Sequence, residues 1–436
     1  MYFTLMIVVF VLGYACIALE HPLKINKSAT ALFLAVILWA IYALMGNFRN
    51  AGELIEHLGS TSEILFFLLG AMTIVETVDR HNGFAIITDR ITTTSKRRLL
   101  WVISIITFFM SSVLDNLTTA IVMCALLRKL IDNQKDRWFF AGMVILAANA
   151  GGAWTPIGDV TTIMLWIKGN ITAVSIMKET FLPSIISLIV PLAVISITMK
   201  GNVERPVQKD ALEGNAIPKL QSNIIFLLGV GSLLFTPVFK SITHLPPYLG
   251  ILFGLSVLWI VTEIMHRNDN NYSRLNISSI IQKVDTPSVL FFLGILMAVA
   301  CLQSAGHLGM LATELNKLDN IYIINIIIGI LSSVIDNVPL VAAAMGMYPV
   351  ADAAAVVANP ELTHFMVDGA FWEMLAYCAG TGGSILIIGS AAGVAVMGME
   401  KIDFIWYLKK ISLWALLGYL AGAGSFYLLS QFILHT

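Results

Sequence analysis

Residues 111–116 read SSVLDN, and residues 332–337 read SSVIDN. Each string lies inside a long apolar segment, where a buried aspartate is costly and marks a functional position by default. The strings differ at one position and fall in different halves of the chain. A matched pair of this kind indicates an internal duplication.

The composition places the chain in a membrane. It is 58% hydrophobic and 12% charged, with a mean hydropathy of +0.84, whereas soluble domains carry about 25% charged residues. We therefore predict an all-α polytopic membrane protein, in contact with lipid. The four cysteines lie at unrelated spacings in apolar segments, and no Cys/His motif is present. We expect no cofactor, no resident metal ion and no nucleic-acid partner.

Ten apolar segments are predicted to cross the membrane. They lie near residues 3–20, 28–45, 62–80, 138–167, 179–199, 222–240, 247–266, 287–305, 369–398 and 411–432. The polar stretch 201–221 is predicted to be a cytoplasmic linker. It divides the chain into a first unit, 1–200, and a second unit, 222–436.

Two further apolar segments, 98–131 and 320–348, contain the two strings and break at the Asp-Asn pair. In the first segment each arm has about 16 residues, roughly 24 Å of helix at 1.5 Å per residue. This is shorter than the roughly 30 Å hydrocarbon core. We therefore predict re-entrant hairpins with the Asp-Asn pair near each tip. The alternative is a single tilted, kinked crossing.

The distribution of basic residues favours hairpins that return to their own side. On this interpretation, 21 of the 26 lysines and arginines fall in loops on one side. The other side holds Arg49, Lys168, Lys178, Lys240 and Lys317. By the positive-inside rule the first side is cytoplasmic, and both termini lie outside.

The same interpretation predicts an inverted repeat. ILFFLLG at 64–70 resembles VLFFLG at 289–294, and NAGGAWTP at 149–156 corresponds to GTGGSILI at 380–387. Each unit has five crossings, an odd number, so the two copies have opposite orientations. Inverted repeats with discontinuous helices are typical of secondary transporters.

Residues 149–162, NAGGAWTPIGDVTT, interrupt the predicted helix 138–167, because three glycines and Pro156 fall within eight residues. Carbonyl groups freed at membrane depth must face protein, water or a cation. The counterpart in the predicted helix 369–398, AGTGGSILIIGS, offers hydroxyls but no carboxylate. The two units are therefore related but chemically unequal.

The hairpin tips and helix breaks are expected to meet near the midplane and to bring oxygen ligands together, as a small hard cation requires. The candidate ion- or proton-binding residues are Asp115, Asn116, Asn149, Asp159, Thr161, Thr162, Ser332, Asp336, Asn337, Thr381 and Ser384. Helix packing explains Thr118, Thr119 and Ser390 equally well. Capping is the alternative for the asparagines and aspartates.

Among the carboxylates, Asp159 and Asp115 rank first because both belong to the unit with the more polar break. We predict that Na⁺ binds at these two aspartates and at neighbouring backbone carbonyls. Glu76 is a second-rank candidate for a proton path, with a snorkelling surface charge as the alternative. Burial favours the neutral acid and a bound cation favours the carboxylate, so Na⁺ and H⁺ would compete for one group. Competition combined with alternating access gives obligatory exchange.

At these residues the sequence resembles the NhaD-type sodium/proton antiporters of the ion transporter superfamily. NAGGAWTPIGDVTTIMLW, SSVLDNLTTAIVM and SSVIDNVPLVAA are similar to the family's distinctive segments. The resemblance implies a homodimer in the bacterial inner membrane that expels Na⁺ and Li⁺ against entering protons, in pH and sodium homeostasis. It implies roles for Asp115, Asn149, Asp159, Thr161, Thr162, Ser332, Asn337 and Ser384. At Thr381 a serine would also fit, and threonine keeps the hydroxyl.

Two other functions compete with this one. A sodium-coupled carrier of dicarboxylates or other oxyanions would share the fold, but no lysine or arginine lies in the predicted core to hold an anion. An intramembrane aspartyl protease would use a GxGD string, and PIGD at 156–159 lacks the first glycine. We therefore expect a transporter and not an enzyme.

Overall fold

The computed structural model describes residues 2–18, 20–45, 51–88, 91–206, 217–267 and 275–433. Part of the predicted linker, 207–216, lies outside the described residues, as do the loop residues Arg49, Arg90 and Arg274. The described residues form helices and their connections. One isolated β-bridge joins Ser95 to Asn202.

Twelve helices lie in the described residues up to His266. These are α1 (Tyr2–Ala18), α2 (Glu20–Leu23), α3 (Lys27–Leu44), α4 (Ala51–Arg80), α5 (Ala85–Thr88), α6 (Lys96–Leu114), α7 (Asn116–Leu130), α8 (Gln134–Gly152), α9 (Val160–Ile167), α10 (Ala173–Thr198), α11 (Lys219–Thr243) and α12 (Pro247–His266).

Ten further helices lie in the described residues from Ile277 onward. These helices are α13 (Ile277–Ile281), α14 (Thr286–Ser304), α15 (His307–Leu315), α16 (Ile321–Leu331), α17 (Asn337–Met347), α18 (Ala353–Ala358), α19 (Ala370–Gly382), α20 (Ala391–Glu400), α21 (Phe404–Lys410) and α22 (Ser412–Ile433). Short 3₁₀ turns cover Asn316–Leu318 and Pro360–Phe365.

In the described part of the chain, eight helices are long and apolar enough to cross a membrane. They are α3, α4, α6, α10, α11, α12, α14 and α22. Shorter apolar helices include most of α1 together with α16, α17 and α20. These features confirm the prediction of an all-α polytopic membrane protein. The inverted repeat and the re-entrant course of the hairpins stay predictions.

The helices form two packed groups. Helices α1, α3, α4, α11, α12 and α14 pack mainly on one another, and we call this set the frame. Helices α6 to α10, α16, α19, α20 and α22 also pack mainly on one another. Together with α17, which packs on α14 and α15 as well as on α9 and α19, we call them the site group. The groups meet where α14 and α15 pack on α17, α4 packs on α9, and α11 packs on α6.

Both SSV(L/I)DN strings fall at helix breaks. Helix α6 ends one residue before Asp115 and α7 begins one residue after it, whereas five residues, 332–336, separate α16 from α17. At 1.5 Å per residue, α16 and α17 are each about 16 Å long, well short of a full crossing. Helix α6 has 19 residues and is about 28 Å long, longer than the predicted arm because it begins at Lys96.

The first serine of each string makes the same contact. Ser111 Oγ donates a hydrogen bond to the Ala148 carbonyl at 2.5 Å, and Ser332 Oγ donates to the Ala379 carbonyl at 2.8 Å. Each bond joins a hairpin arm to the broken helix that follows it in sequence. The two halves thus repeat one local arrangement.

Two glycines allow this close approach. A Cβ at Gly151 would collide with the Phe108 carbonyl, and a Cβ at Gly382 would collide with the Gly329 carbonyl. Both glycines lie in the last turn before a helix breaks. Helix backbones approach closely in membranes where residues are small, so glycine is required at both positions by the contact and not by the break alone.

A buried ion-pair cluster fixes the end of α20. The Glu400 carboxylate accepts hydrogen bonds from Arg128 Nε at 2.6 Å and from Arg137 Nε at 2.7 Å, and its side chain is 1% exposed. Trp138 Nε1 donates to the Glu400 carbonyl at 2.8 Å. Because these partners lie on α7 and α8, the cluster ties the second broken helix to the first hairpin and to the first broken helix.

Candidate ion-binding site

Asp159 is the centre of a buried polar network. It is 1% exposed and caps the N-terminus of α9, where its Oδ1 accepts bonds from the Thr161 amide and hydroxyl, both at 2.9 Å. Asn116 Nδ2, at the start of α7, donates to Oδ2 at 2.5 Å. Asn337 Nδ2, at the start of α17, lies 3.4 Å from both oxygens. Both hairpin tips therefore meet one carboxylate.

Thr162 completes the cap without touching the carboxylate. The Asp159 amide donates to Thr162 Oγ1 at 3.3 Å, and this hydroxyl lies 2.9 Å from the Asp159 carbonyl. The reciprocal pattern is a capping box, which satisfies backbone groups at the start of a helix. Thr162 thus orients the residue that carries the charge.

Asn149 connects the two halves of the chain. Its Nδ2 donates to Ser384 Oγ at 2.9 Å and to Ser390 Oγ at 3.0 Å, and its Oδ1 accepts from Asn116 at 3.1 Å. The side chain is fully buried. The network therefore extends from Asp159 through both asparagines to the break between α19 and α20.

Asp115 has a separate environment. Its φ of 75° and ψ of 159° fall in a region that favours glycine and costs of order 1–3 kcal/mol for other residues. Its carboxylate accepts from the Thr118 amide at 2.8 Å and the Thr118 hydroxyl at 2.7 Å. These two bonds direct it back onto its own helix, and within the described ranges no hydrogen bond joins it to Asp159.

Asp336 occupies the matching position in the second hairpin. Its carboxylate accepts from the Val338 amide at 3.1 Å, and its own amide donates to Tyr14 Oη at 2.9 Å. Tyr14 belongs to α1, so the second tip touches the frame. Asp336 lines a cavity of about 50 Å³ with Glu20 and Lys27.

Three other predicted residues lie away from the network. Ser332 contacts the Ala379 carbonyl, as described above. Thr381 Oγ1 returns to the carbonyl of Tyr377 in its own helix at 2.6 Å. Glu76 pairs with Arg80 at 2.8 Å with a side chain 27% exposed, one helical turn from the end of α4.

Two residues contribute more to the candidate site than the sequence pattern indicates. Ser390, for which packing and binding had equal weight, accepts from Asn149 and also from the Gly393 amide at 3.1 Å, so it caps α20. It holds in the second half the cap position that Asp159 holds in the first. Tyr14 carried no signal, because its contact with Asp336 spans 322 residues of sequence.

A larger cavity approaches the network from the side on which α9 and α17 end. It has a volume of about 270 Å³ and lies between the frame and the site group. Its lining includes Met164 and Ala342, each five residues beyond Asp159 and Asn337. Five residues of helix are about 7.5 Å, so the cavity ends between one and two helical turns from the carboxylate.

Comparison with known proteins gives a consistent result. A family model described as a citrate transporter matches residues 14–367. Sodium/proton antiporter 1 of Arabidopsis thaliana is 48% identical over 424 residues, covering 97% of this chain and 71% of that protein. The Na(+)/H(+) antiporter NhaD of Vibrio cholerae is 31% identical over 450 residues, covering 95% of this chain and 89% of that protein. These relatives are transporters, and the chain belongs to the citrate transporter family and, within it, to the NhaD-type sodium/proton antiporters.

Proposed function

We propose that this protein exchanges Na⁺ or Li⁺ for protons by alternating access, expelling the cation across a bacterial inner membrane. The names of the NhaD relatives support the ion pair. The excess of basic residues on one side supports a cytoplasmic linker and outside termini. The matched serine and glycine contacts of the two halves support the inverted repeat.

One observation carries the proposal. Asp159 is buried among amide and hydroxyl groups, and none of the ion pairs in the described ranges involves it. A buried carboxylate without a cationic partner is costly. Its charge is therefore balanced by a cation or removed by a proton. Each ion excludes the other, which makes exchange obligatory when the site opens to one side at a time.

The two cavities support alternating access. The 270 Å³ cavity approaches Asp159 from the side predicted to be outside, while on the other side the tip of the second hairpin rests on Tyr14 and faces only about 50 Å³. We propose that this arrangement is the outward-open state. Asp336 and Asp115, outside the network, are secondary proton or cation positions in this scheme.

Everted membrane vesicles with an acidic interior test the proposal. We expect Na⁺ and Li⁺ to collapse the pH gradient without any organic anion. K⁺ is added as the comparison cation, so that the rates with the three cations measure the selectivity. The family also includes carriers of the citrate type, so citrate and succinate are added separately. Sodium-dependent uptake of these anions, with no response to cations alone, would replace antiport by oxyanion transport on the same fold.

A further inference from the structure

A lysine of the frame holds the end of the helix that carries Asp159. Lys240 lies in the last turn of α11. Its Nζ donates a hydrogen bond to the Trp166 carbonyl at 2.7 Å and lies 4.6 Å from the centroid of the Trp166 ring. Trp166 is 2% exposed and belongs to the last turn of α9. One ammonium group thus makes two contacts with a single residue of the site group.

Helix α9 is short enough to depend on such a contact. It has eight residues and is about 12 Å long, and helices of this length are marginal on their own. Its first end is fixed by the Asp159 cap inside the network. The last turn of α9 contains no basic residue and its C-cap residue is Lys168, so Lys240 adds a second positive charge at the C-terminal end of the helix dipole, where cations are stabilising.

The contact also crosses the boundary between the two helix groups. Lys240 comes from the frame, whereas Trp166 and Asp159 belong to the site group. Phe67 of α4, also a frame helix, meets the Trp166 ring edge-on at a centroid distance of 6.5 Å. The end of α9 is therefore clamped between two frame helices, and the rotation and depth of α9 follow from that clamp.

We infer that Lys240 is a positioning residue for ion binding: it anchors the last turn of α9 through Trp166 and thereby fixes Asp159 at the other end. This inference rests on the proposed antiport function for its effect on Na⁺. The anchoring of α9 by Lys240 is independent of the antiport function. Lys240 touches neither the ion nor the carboxylate, and its loss weakens binding without removing a ligand.

The experiment compares Lys240→Gln and Lys240→Arg with the wild-type protein. Arginine also donates to a carbonyl and stacks on an aromatic ring, so Lys240→Arg is expected to retain most of the function. For Lys240→Gln we expect a three- to tenfold rise in the apparent KM for Na⁺ in vesicles, with the maximal rate within about twofold of wild type. Lys317→Gln is the control, because Lys317 is 66% exposed and pairs with the equally exposed Glu314.

Hydrogen exchange measured on the purified full-length protein supplies a second readout. The amides of the last turn of α9, residues 164–167, should exchange at least tenfold faster in Lys240→Gln and remain near the wild-type rate in Lys240→Arg. Unchanged amide hydrogen exchange in Lys240→Gln would overturn the inference. A fall in the maximal transport rate of this variant with an unchanged KM for Na⁺ would overturn it too. The two proposals can fail separately. If the wild-type protein shows no sodium-driven proton flux but Lys240→Gln still accelerates amide hydrogen exchange in α9, the antiport function is rejected and the anchoring of α9 by Lys240 stands.

Discussion

Asn149→Ala is the substitution whose effect the structure defines most fully. The side chain makes three hydrogen bonds, to Ser384, Ser390 and Asn116, at 2.9, 3.0 and 3.1 Å. A neutral hydrogen bond contributes about 1 kcal/mol, so about 3 kcal/mol depends on this side chain, of which about 2 kcal/mol joins the two halves of the site through Ser384 and Ser390. If the whole of this is expressed in ion binding, exchange activity falls about a hundredfold.

Thr381→Ala is the matched control from the other half of the site. Its hydroxyl returns to the Tyr377 carbonyl in the same helix and, in the described part of the chain, makes no hydrogen bond to a predicted ion ligand. We expect less than a fivefold loss of activity, equivalent to less than about 1 kcal/mol. Both residues were predicted site residues, so the pair separates membership of the network from mere proximity to it.

The assay is the initial rate of collapse of the pH gradient by Na⁺ in everted vesicles, normalised to the amount of folded protein. Thermal unfolding of the purified variants shows whether lost activity reflects lost structure. A loss in Thr381→Ala as large as that in Asn149→Ala would refute the assignment of Asn149 as the connecting residue. Near-normal exchange in a folded Asn149→Ala protein would refute it too.

Three further predictions follow from single sites. Asp159→Asn should abolish exchange in a protein that still folds, since it places an amide donor opposite the donors that now meet Oδ2; full exchange in this variant, measured in the same vesicles, would reject the role of Asp159. Glu400→Gln removes a buried carboxylate whose partners Arg128 and Arg137 are 49% and 20% exposed, and it should lower the free energy of unfolding by about 1 to 2 kcal/mol, seen as a fall in Tm. The exposed Glu314→Gln should change the free energy of unfolding by less than about 0.5 kcal/mol, and equal shifts in the two variants would contradict this prediction. Burial lowers the pKa of His81, which follows the last residue of α4 and whose ring lies 3.0 Å from the ring of His266. The stability contributed by the neutral histidine is present above the unfolded pKa of about 6.5 and is lost as the pH falls below that value. The pH dependence of Tm should therefore flatten in His81→Gln.

The helical membrane class and the position of the breaks could be predicted because they depend on local chemistry. Apolar length, proline and glycine, and the paired Asp-Asn strings are all read directly from the chain. The asymmetry of the two units could also be predicted, since only the first break carries an aspartate. Ser390 occupies the corresponding cap in the second unit.

The ranking of residues within the site could not be predicted in the same way. Asp115 and Asp159 are similar in sequence context, yet Asp115 bonds to its own Thr118 while Asp159 receives asparagines from both hairpins. Which way each side chain faces depends on the torsion at the break, as the φ of 75° at Asp115 shows. Lys240 had no local signal, because its partner Trp166 is 74 residues away.

If Na⁺ and H⁺ compete for the carboxylate of Asp159, Na⁺ binding must release protons from the purified protein, and this release can be measured. Sodium chloride is added to the weakly buffered protein over a range of pH, with choline chloride at the same ionic strength as the control, and a pH-sensitive dye reports free protons. We expect Na⁺ to release protons from the wild-type protein and not from Asp159→Asn. Sodium binding by the wild-type protein without proton release, or equal release from Asp159→Asn, would contradict it.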